Sequence, residues 1–328
     1  KSRGDKRALE SYTATPGRLP GADYPLDIYQ IDHTPVDAEI VDEEHRLPIG
    51  RPWITVAIDC YSRMVAGFAI LLEPPSALSV GLAITHAIMP KEEWLAKRGI
   101  DQSWPIYGRP KSIHADNGAD FRCEAVTRGC QNHRMDIAWR PVKKAHWGGH
   151  IERLLGTIAT KLKTLPGATF SNPKERGQYE SGREAQLTLS ELERWVANEL
   201  LGKYHNVKHA ALDTTPMRRF EEGIHGTATR PGRGLPPRPM DGRTLLIDFL
   251  PAEMRTVQPT GLTLDNVRYY APALTRWVGA RDDKKRKMQF RVHRDPRAIS
   301  PVFFYDPERK EYIDVPYADL SLPVISLG

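Results

Sequence analysis

The chain has 328 residues, 40% hydrophobic and 27% charged, with a net charge of +6, an ordinary balance for a folded protein with room for two domains. Its best apolar stretch, 68–89, is interrupted by Glu73, Pro74 and Pro75 and is unsuited to crossing a membrane. Three cysteines, Cys60, Cys123 and Cys130, exclude a disulfide framework and fit a reducing cytoplasm, while the basic charge allows a polyanionic partner without demanding one.

Residues 1–25 are polar and carry Pro16, Gly17, Pro20 and Gly21, the composition of an arm or linker. The chain opens on Lys1 rather than Met and is expected to be a piece of a longer protein. Period-two patterning predicts strands over 26–34, 39–41, 53–59 and 64–72, the last two joined by a tight turn. Ser76 is placed to cap a helix whose stripe of Leu78, Leu82 and Met89 ends at Pro90, and 91–98 adds a further turn or two. A short strand over 111–115 stops at the turn signal Asp116-Asn117-Gly118, followed by a helix over 122–132 and a strand over 135–139. Gly148-Gly149 opens a helix carrying Ile151, Leu154, Leu155, Ile158 and Leu162, which Pro166-Gly167 closes. Ser190-Glu191-Leu192-Glu193 reads as a capping box for a helix to about Tyr204, and Pro216 sits in the first turn of another. The region 26–222 is therefore expected to be α/β with a mixed sheet. Crowded Pro and Gly make 223–240 an expected linker. Short strands over 244–249, 262–264, 267–270, 287–293, 302–305 and 313–315 predict a small β-barrel within 241–328.

Three carboxylates stand out. Asp32 lies in the first strand among Ile28, Tyr29 and Ile31; Asp116 ends a strand; Glu152 rides the first turns of a helix, with 35 residues between it and Asp116. Hydrolysing a phosphodiester needs an activated oxygen nucleophile and a stabilised leaving oxygen, and two divalent ions about 4 Å apart supply both. Hard ions such as Mg²⁺ take carboxylate oxygens, and strand ends and a helix start can hold three of them on one point. Each residue alone has an ordinary reading: an edge carboxylate, a turn, a solvated helix charge. With 41 Asp and Glu in the chain, only the order and the elements that carry them make the trio specific.

At these residues the sequence resembles a known family. Ile31-Asp32-His33-Thr34, the run from Arg51 to Asp59, Asp116-Asn117-Gly118 and Gly149-His150-Ile151-Glu152-Arg153 resemble the DDE recombinases of the retroviral-integrase superfamily, whose spacing the 35-residue gap matches. The run from Glu73 to Leu82 and Thr169-Phe170-Ser171-Asn172-Pro173 are similar to the narrower group of TniA and TnsB transposases, related to the phage Mu transposase. The stretch from Leu246 to Pro251 and Tyr269-Tyr270-Ala271 resemble the barrel that follows the catalytic domain in Mu-type enzymes. The likeness runs from about Pro25 to Pro323. It lacks the upstream DNA-binding region of that group.

The resemblance implies an RNase H-like fold and a metal-binding triad of Asp32, Asp116 and Glu152. Asp32 would bridge two Mg²⁺ ions, with Mn²⁺ able to substitute, and the other two would each hold one. It implies cleavage at transposon ends and transfer of the freed 3′-OH into target DNA. It also implies a multimer on paired DNA ends, an AAA+ ATPase partner that delivers the target, no membrane, and a nucleoid-associated place in a bacterial cytoplasm. A metal-dependent nuclease without strand transfer is the alternative.

Around the triad, His33 and His150 are candidates to orient a ligand or a phosphate, and Asn117 to steady the site; packing and turn formation are their ordinary roles. Asp59 reads as a turn carboxylate paired with Arg63 rather than a ligand. Lys143, Lys144, His146 and Arg153 flank Glu152 and would suit DNA phosphates. Lys284, Lys285, Arg286, Lys287, Arg291 and Arg294 form a second basic patch, whose rival reading is a merely soluble hairpin. Cys123, Cys130 and His133 lack a fourth ligand at zinc-site spacing.

Overall fold

The computed structural model describes residues 21–140, 149–165, 185–319 and 321. Lys143, Lys144, His146 and the motif from Thr169 to Pro173 lie outside the described residues. In chain order the first region carries β1 (Ile28–Pro35), β2 (Ile40–Val41), β3 (Pro48–Gly50), β4 (Trp53–Asp59), β5 (Val65–Leu71), α1 (Ala77–Ile88) and α2 (Glu92–Lys97). These are followed by β6 (Ser112–Ala115), α3 (Glu124–Asn132), β7 (Asp136–Trp139), α4 (Gly149–Leu162), α5 (Leu189–Glu199) and α6 (Pro216–His225).

The main sheet has the order β5-β4-β1-β6-β7. β5, β4 and β1 are antiparallel neighbours, and β6 and β7 continue parallel to β1. This is the mixed sheet that the patterning predicts, in the order of the RNase H-like fold that the resemblance implies. β2 and β3 pair only with each other, outside that sheet. One apolar cluster joins the sheet to α4 and α5 through Ile58, Phe68, Leu154, Ile158 and Val196. A second joins it to α1 and α3 through Ile31, Val80, Ile84 and Val126. Gly67 lets α1 lie directly on β5: a Cβ there would sit 2.4 Å from the Ala87 nitrogen. Lys91, buried beyond the end of α1, donates to the carbonyls of Ala87, Met89 and Ile106 and so closes that helix.

Several expectations are corrected. The cap of α5 is Thr188, not Ser190: Thr188 Oγ1 accepts from Glu191 N while the Glu191 carboxylate accepts from Thr188 N. α5 passes into a π-helical turn, Leu200–Tyr204. The expected linker 223–240 is a docked segment. It begins inside α6, forms the hairpin β8 (Gly226–Thr227) and β9 (Arg230–Pro231), and then runs against the first region. Arg233 donates to Pro25 O and Asp27, Arg238 pairs with Glu92, and Pro236 packs over Gly108.

The expected strand over 244–249 is a helix, α7 (Gly242–Phe249), capped by Asp241. Leu245 and Phe249 belong to the cluster containing α1 and α3. Phe249 reaches α1 and α3 over two glycines: a Cβ at Gly81 or Gly129 would lie 2.6 or 2.5 Å from it. The small β domain therefore starts after α7. It comprises β10 (Ala252–Arg255), β11 (Leu262–Leu264), β12 (Val267–Tyr269), β13 (Phe290–Asp295), β14 (Ala298–Asp306) and β15 (Glu311–Val315). β10-β13-β14-β15 form an antiparallel sheet, and β11-β12 a separate ladder. A Tyr269–Tyr317 bridge joins ladder to sheet on one side, and Arg255 Nε donating to Thr263 O joins them on the other. Both close over one core of Val257, Leu262, Tyr269, Phe290, Val292 and Phe304. The expected barrel is thus two antiparallel pieces with thin seams.

Candidate active site

β1 and β6 run parallel with Ile28, Tyr29 and Gln30 beside Ser112, Ile113 and His114. Continuing that register by two residues sets Asp32, in the middle of β1, beside Asp116, one residue past the end of β6. α4 packs on β1 and β4 through Ile151, Leu154, Leu155, Ile158 and Leu162, and its first turn carries Glu152. Asp32 is 18% exposed and Glu152 55%; Asp116 is exposed and its carboxylate accepts from its neighbour Asn117 N at 2.7 Å.

A residue that the sequence reading passed over joins two of these carboxylates. Arg140 follows β7, and its backbone N donates to Ala115 O. Its guanidinium, 9% exposed, places Nη1 and Nη2 each 3.2 Å from Asp32 Oδ2, and Nη1 lies 3.9 Å from Glu152 Oε1. Nη2 also reaches Ile31 O at 3.3 Å. The available signal was its position, one residue beyond a strand that ends beside Asp116. Asn117 steadies the same junction, donating through Nδ2 to Arg140 O and accepting from Arg122, whose guanidinium lies over the Trp139 ring.

No three His, Cys, Asp or Glu side chains among the described residues stand close enough to enclose an ion as they are. Asp32 is turned to Arg140, and Asp116 onto its own loop. The chemistry of the donor set nevertheless fits a divalent ion: the groups are hard oxygens, and a cation already stands between Asp32 and Glu152.

The supporting residues divide. His33 N donates to Asp32 Oδ1 at 2.9 Å, while its ring stacks on Phe121 and its Nδ1 lies 3.5 Å from Asp120. His150 and Arg153 line a cavity of about 250 Å³ with Arg63, Lys203, Tyr204 and His209, and no carboxylate among the described residues lines it. Burial, then Arg63, Arg153 and His209, pushes His150 down to about 4, so the imidazole is neutral in a positive pocket.

Asp59 is not paired with Arg63 as expected. It is buried and accepts from Leu26 N, Ser62 N and Ser62 Oγ, while Arg63 donates to Cys60 O. Burial raises the Asp59 carboxyl to about 6 against those hydrogen bonds. Lys284, Lys285, Arg286 and Lys287 are exposed on a tight turn, with Arg286 held by Asp282. Arg294 is paired with Asp265 and stands 3.8 Å from Glu253. Cys123, Cys130 and His133 form no metal cluster.

Two family models match the chain: the TnsB C-terminal domain over residues 30–167 and the Mu transposase C-terminal domain over 247–314. The first contains Asp32, Asp116, Arg140 and Glu152; the second runs from the end of α7 to β15. The chain thus matches a TnsB C-terminal domain in its first part and a Mu transposase C-terminal domain in its second. It is 26% identical over 301 residues to the transposase for transposon Tn552 of Staphylococcus aureus, covering 92% of this chain and 56% of that protein. To the transposon Tn7 transposition protein TnsB of Escherichia coli it is 23% identical over 320 residues, 92% of this chain and 44% of that protein. It therefore spans about half the length of these transposase relatives. Among solved structures, the simian T-cell lymphotropic virus intasome in complex with PP2A regulatory subunit B56 gamma aligns with a TM-score of 0.43 and 13% identity, over 92% of this chain and 80% of that one. No described helix of the chain is long and apolar enough to cross a membrane.

Proposed function

We propose that this chain is the catalytic part of a DNA transposase that cleaves at transposon ends and joins the freed 3′-OH to target DNA. The observation that carries the reading is the convergence at one end of the sheet: Asp32 and Asp116 on neighbouring parallel strands, and Asp32 and Glu152 within reach of one guanidinium. The matches to TnsB- and Mu-type domains support the same reaction.

In this reading Asp32, Asp116 and Glu152 hold two Mg²⁺ ions, with Mn²⁺ as a substitute. Bound there, the ions would generate the attacking oxygen and stabilise the leaving one. The chain's own part is to keep the three carboxylates on a central strand, a neighbouring strand end and a packed helix, so that little reorganisation is needed. Asp32, on the strand that neighbours β6 and packs against α4, would help to hold both ions. Asn117 holds the loops after β6 and β7 together, and His33 fixes one Asp32 oxygen through its backbone.

DNA phosphates would be met by Arg153, with Arg63 from the same cavity, by Lys143 and Lys144, and by Lys284, Lys285 and Lys287. Multimerisation on paired DNA ends, an AAA+ target-delivery partner and a nucleoid-associated place in a bacterial cytoplasm follow from the same reading. The domain scheme that goes with it has an arm over 1–25, a catalytic region to the end of α7, and the β domain beyond.

The test is strand transfer with a pre-cleaved end duplex and a target plasmid in Mg²⁺. Joined product that disappears in Asp116→Asn is expected. Cleavage without any joining would favour the nuclease reading, and unchanged activity in Asp116→Asn would defeat the triad.

A further inference from the structure

The position where Asp32 and Glu152 would share an ion is taken by a side chain of the protein. Arg140 brings both terminal nitrogens to Asp32 Oδ2 at 3.2 Å and stands 3.9 Å from Glu152 Oε1. Its backbone cannot move away readily, because Ala115 O and Asn117 hold it from two sides. Its side chain is held more loosely. Nε has no hydrogen-bond partner among the described residues, and the guanidinium's hydrogen bonds go to one carboxylate oxygen and one backbone carbonyl, with Glu152 at ion-pair distance. Asp116 lies outside this arrangement, exposed and, among the described residues, engaged by its own loop.

We propose that Arg140 is a built-in counter-ion that gates metal loading: it fills the cation position between Asp32 and Glu152 until DNA draws it off. This rests on the triad reading above. A guanidinium and a divalent ion cannot share that position, since like charges about 4 Å apart repel strongly where water is scarce. Among the described residues no cation is paired with Asp116. Loading is therefore ordered. A first ion enters between Asp32 and Asp116 while Arg140 stays in place. The second enters beside Glu152 only when Arg140 has another anion to hold. A DNA phosphate is the natural recipient, because guanidinium binds phosphate oxygens in the same forked geometry as a carboxylate. Without DNA the chain would keep its carboxylates neutralised and its second ion absent, which suppresses hydrolysis away from DNA.

The measurement is the number of Mn²⁺ ions bound per chain, by paramagnetic resonance and calorimetry, with and without a short duplex. Wild type should bind one ion alone and a second with duplex. Arg140→Gln should bind both without DNA, with the second tightened by about tenfold or more, and Arg140→Lys should fall between. Damage to the fold weakens binding, so tightening cannot arise from it. Two ions on DNA-free wild type would overturn the gate whatever the variants do. Wild-type behaviour in Arg140→Gln, with ion loss in Asp116→Asn, would overturn the gate and leave the triad standing. Binding that ignores Asp116→Asn as well would remove the triad itself.

Discussion

Two carboxylates, Asp32 and Asp248, are held in opposite ways. Asp248, on α7, is buried and receives Asn132 Nδ2 at 2.8 Å, His133 Nε2 at 2.9 Å and Tyr312 Oη at 2.6 Å. Burial pushes its carboxyl up, but the hydrogen bonds from His133, Tyr312 and Asn132 outweigh that and leave it below the usual range. Its donors come from α3 and β15, and Arg128 donates to Leu250 O alongside, so this carboxylate fastens the β domain to the sheet. Asp32 has one cation on one oxygen and a backbone amide on the other. A carboxylate offers about four acceptor positions. Asp248 and Asp32 each accept three hydrogen bonds, but at Asp248 they come from three different side chains, whereas at Asp32 two of the three come from one side chain that can leave. The difference is in how many side chains must let go before the carboxylate is free, one at Asp32 and three at Asp248.

The largest expected effect separates the two directly. Asp32→Asn should lower cleavage and joining by more than about a hundredfold, since even residues behind a metal ligand cost about ten- to a hundredfold, while the melting temperature stays close to wild type. Asp248→Ala should do the reverse. Removing a charged acceptor from buried donors costs about 3 kcal/mol, visible in urea unfolding, while the Mn²⁺ count per folded chain stays unchanged. A catalytic collapse in Asp248→Ala at full stability would erase the distinction.

How far this contrast was legible in the sequence depends on the range of the signal. Asp32, Asp116 and Glu152 were readable because strand, turn and helix start are local patterns, and the main sheet followed from period-two runs. Asp248 was not readable. The run Leu245-Leu246-Ile247-Asp248-Phe249-Leu250 is too short for periodicity to tell a buried helix from a strand, and what decides for α7 is the room that Gly81 and Gly129 leave for Phe249. Thr188 was missed as a cap because Ser190 offers a similar pattern two residues on. Arg140 was missed because its meaning lies in Asp32, 108 positions away, and a lone arginine after a strand is usually solvated. The docked segment after α6 was read as a linker because Pro and Gly report a lack of regular structure, not a lack of packing.

Acid should act on the fold before it reaches Asp248. Burial lowers His86 and His205 to about 3. Burial and then Arg128 lower His293, beside Tyr312, to about 4. Folded pKa values below the usual 6.5 mean that the unfolded chain takes up protons first, so stability falls as pH drops below about 6.5. Between pH 7.5 and 5.5 each of the two most strongly lowered imidazoles, His86 and His205, should cost about 1.4 kcal/mol, about 3 kcal/mol together. Asp59, raised to about 6, works in the opposite sense and offsets part of the loss. Asp248 contributes above the ordinary carboxylate pKa and is lost only below it. Urea unfolding at the two pH values checks the slope. A flat profile would mean that the imidazoles are protonated within the fold.

The smallest effect concerns binding, and it carries a contrast of occupied and spare charge to the β domain. Along the sequence, 281–294 is one basic patch. In the fold, Arg286 is matched by Asp282 and Arg294 by Asp265, whereas Lys284, Lys285 and Lys287 have no carboxylate within ion-pair reach among the described residues. A cation already paired releases fewer counterions when it meets a phosphate, because it must first give up its partner. Replacing Lys284, Lys285 and Lys287 by Ala should weaken binding to transposon-end and random duplexes alike. It should also flatten the slope of log affinity against log salt by about one for each phosphate that is no longer neutralised. Arg286→Ala alone should change that slope less than Lys285→Ala alone, although the formal charge removed is the same. Fluorescence-anisotropy titrations at several salt concentrations measure both. Equal slopes for the two single variants would show that the Asp282 pair opens freely on DNA. A loss confined to the transposon-end duplex would mean that the turn reads bases rather than phosphates.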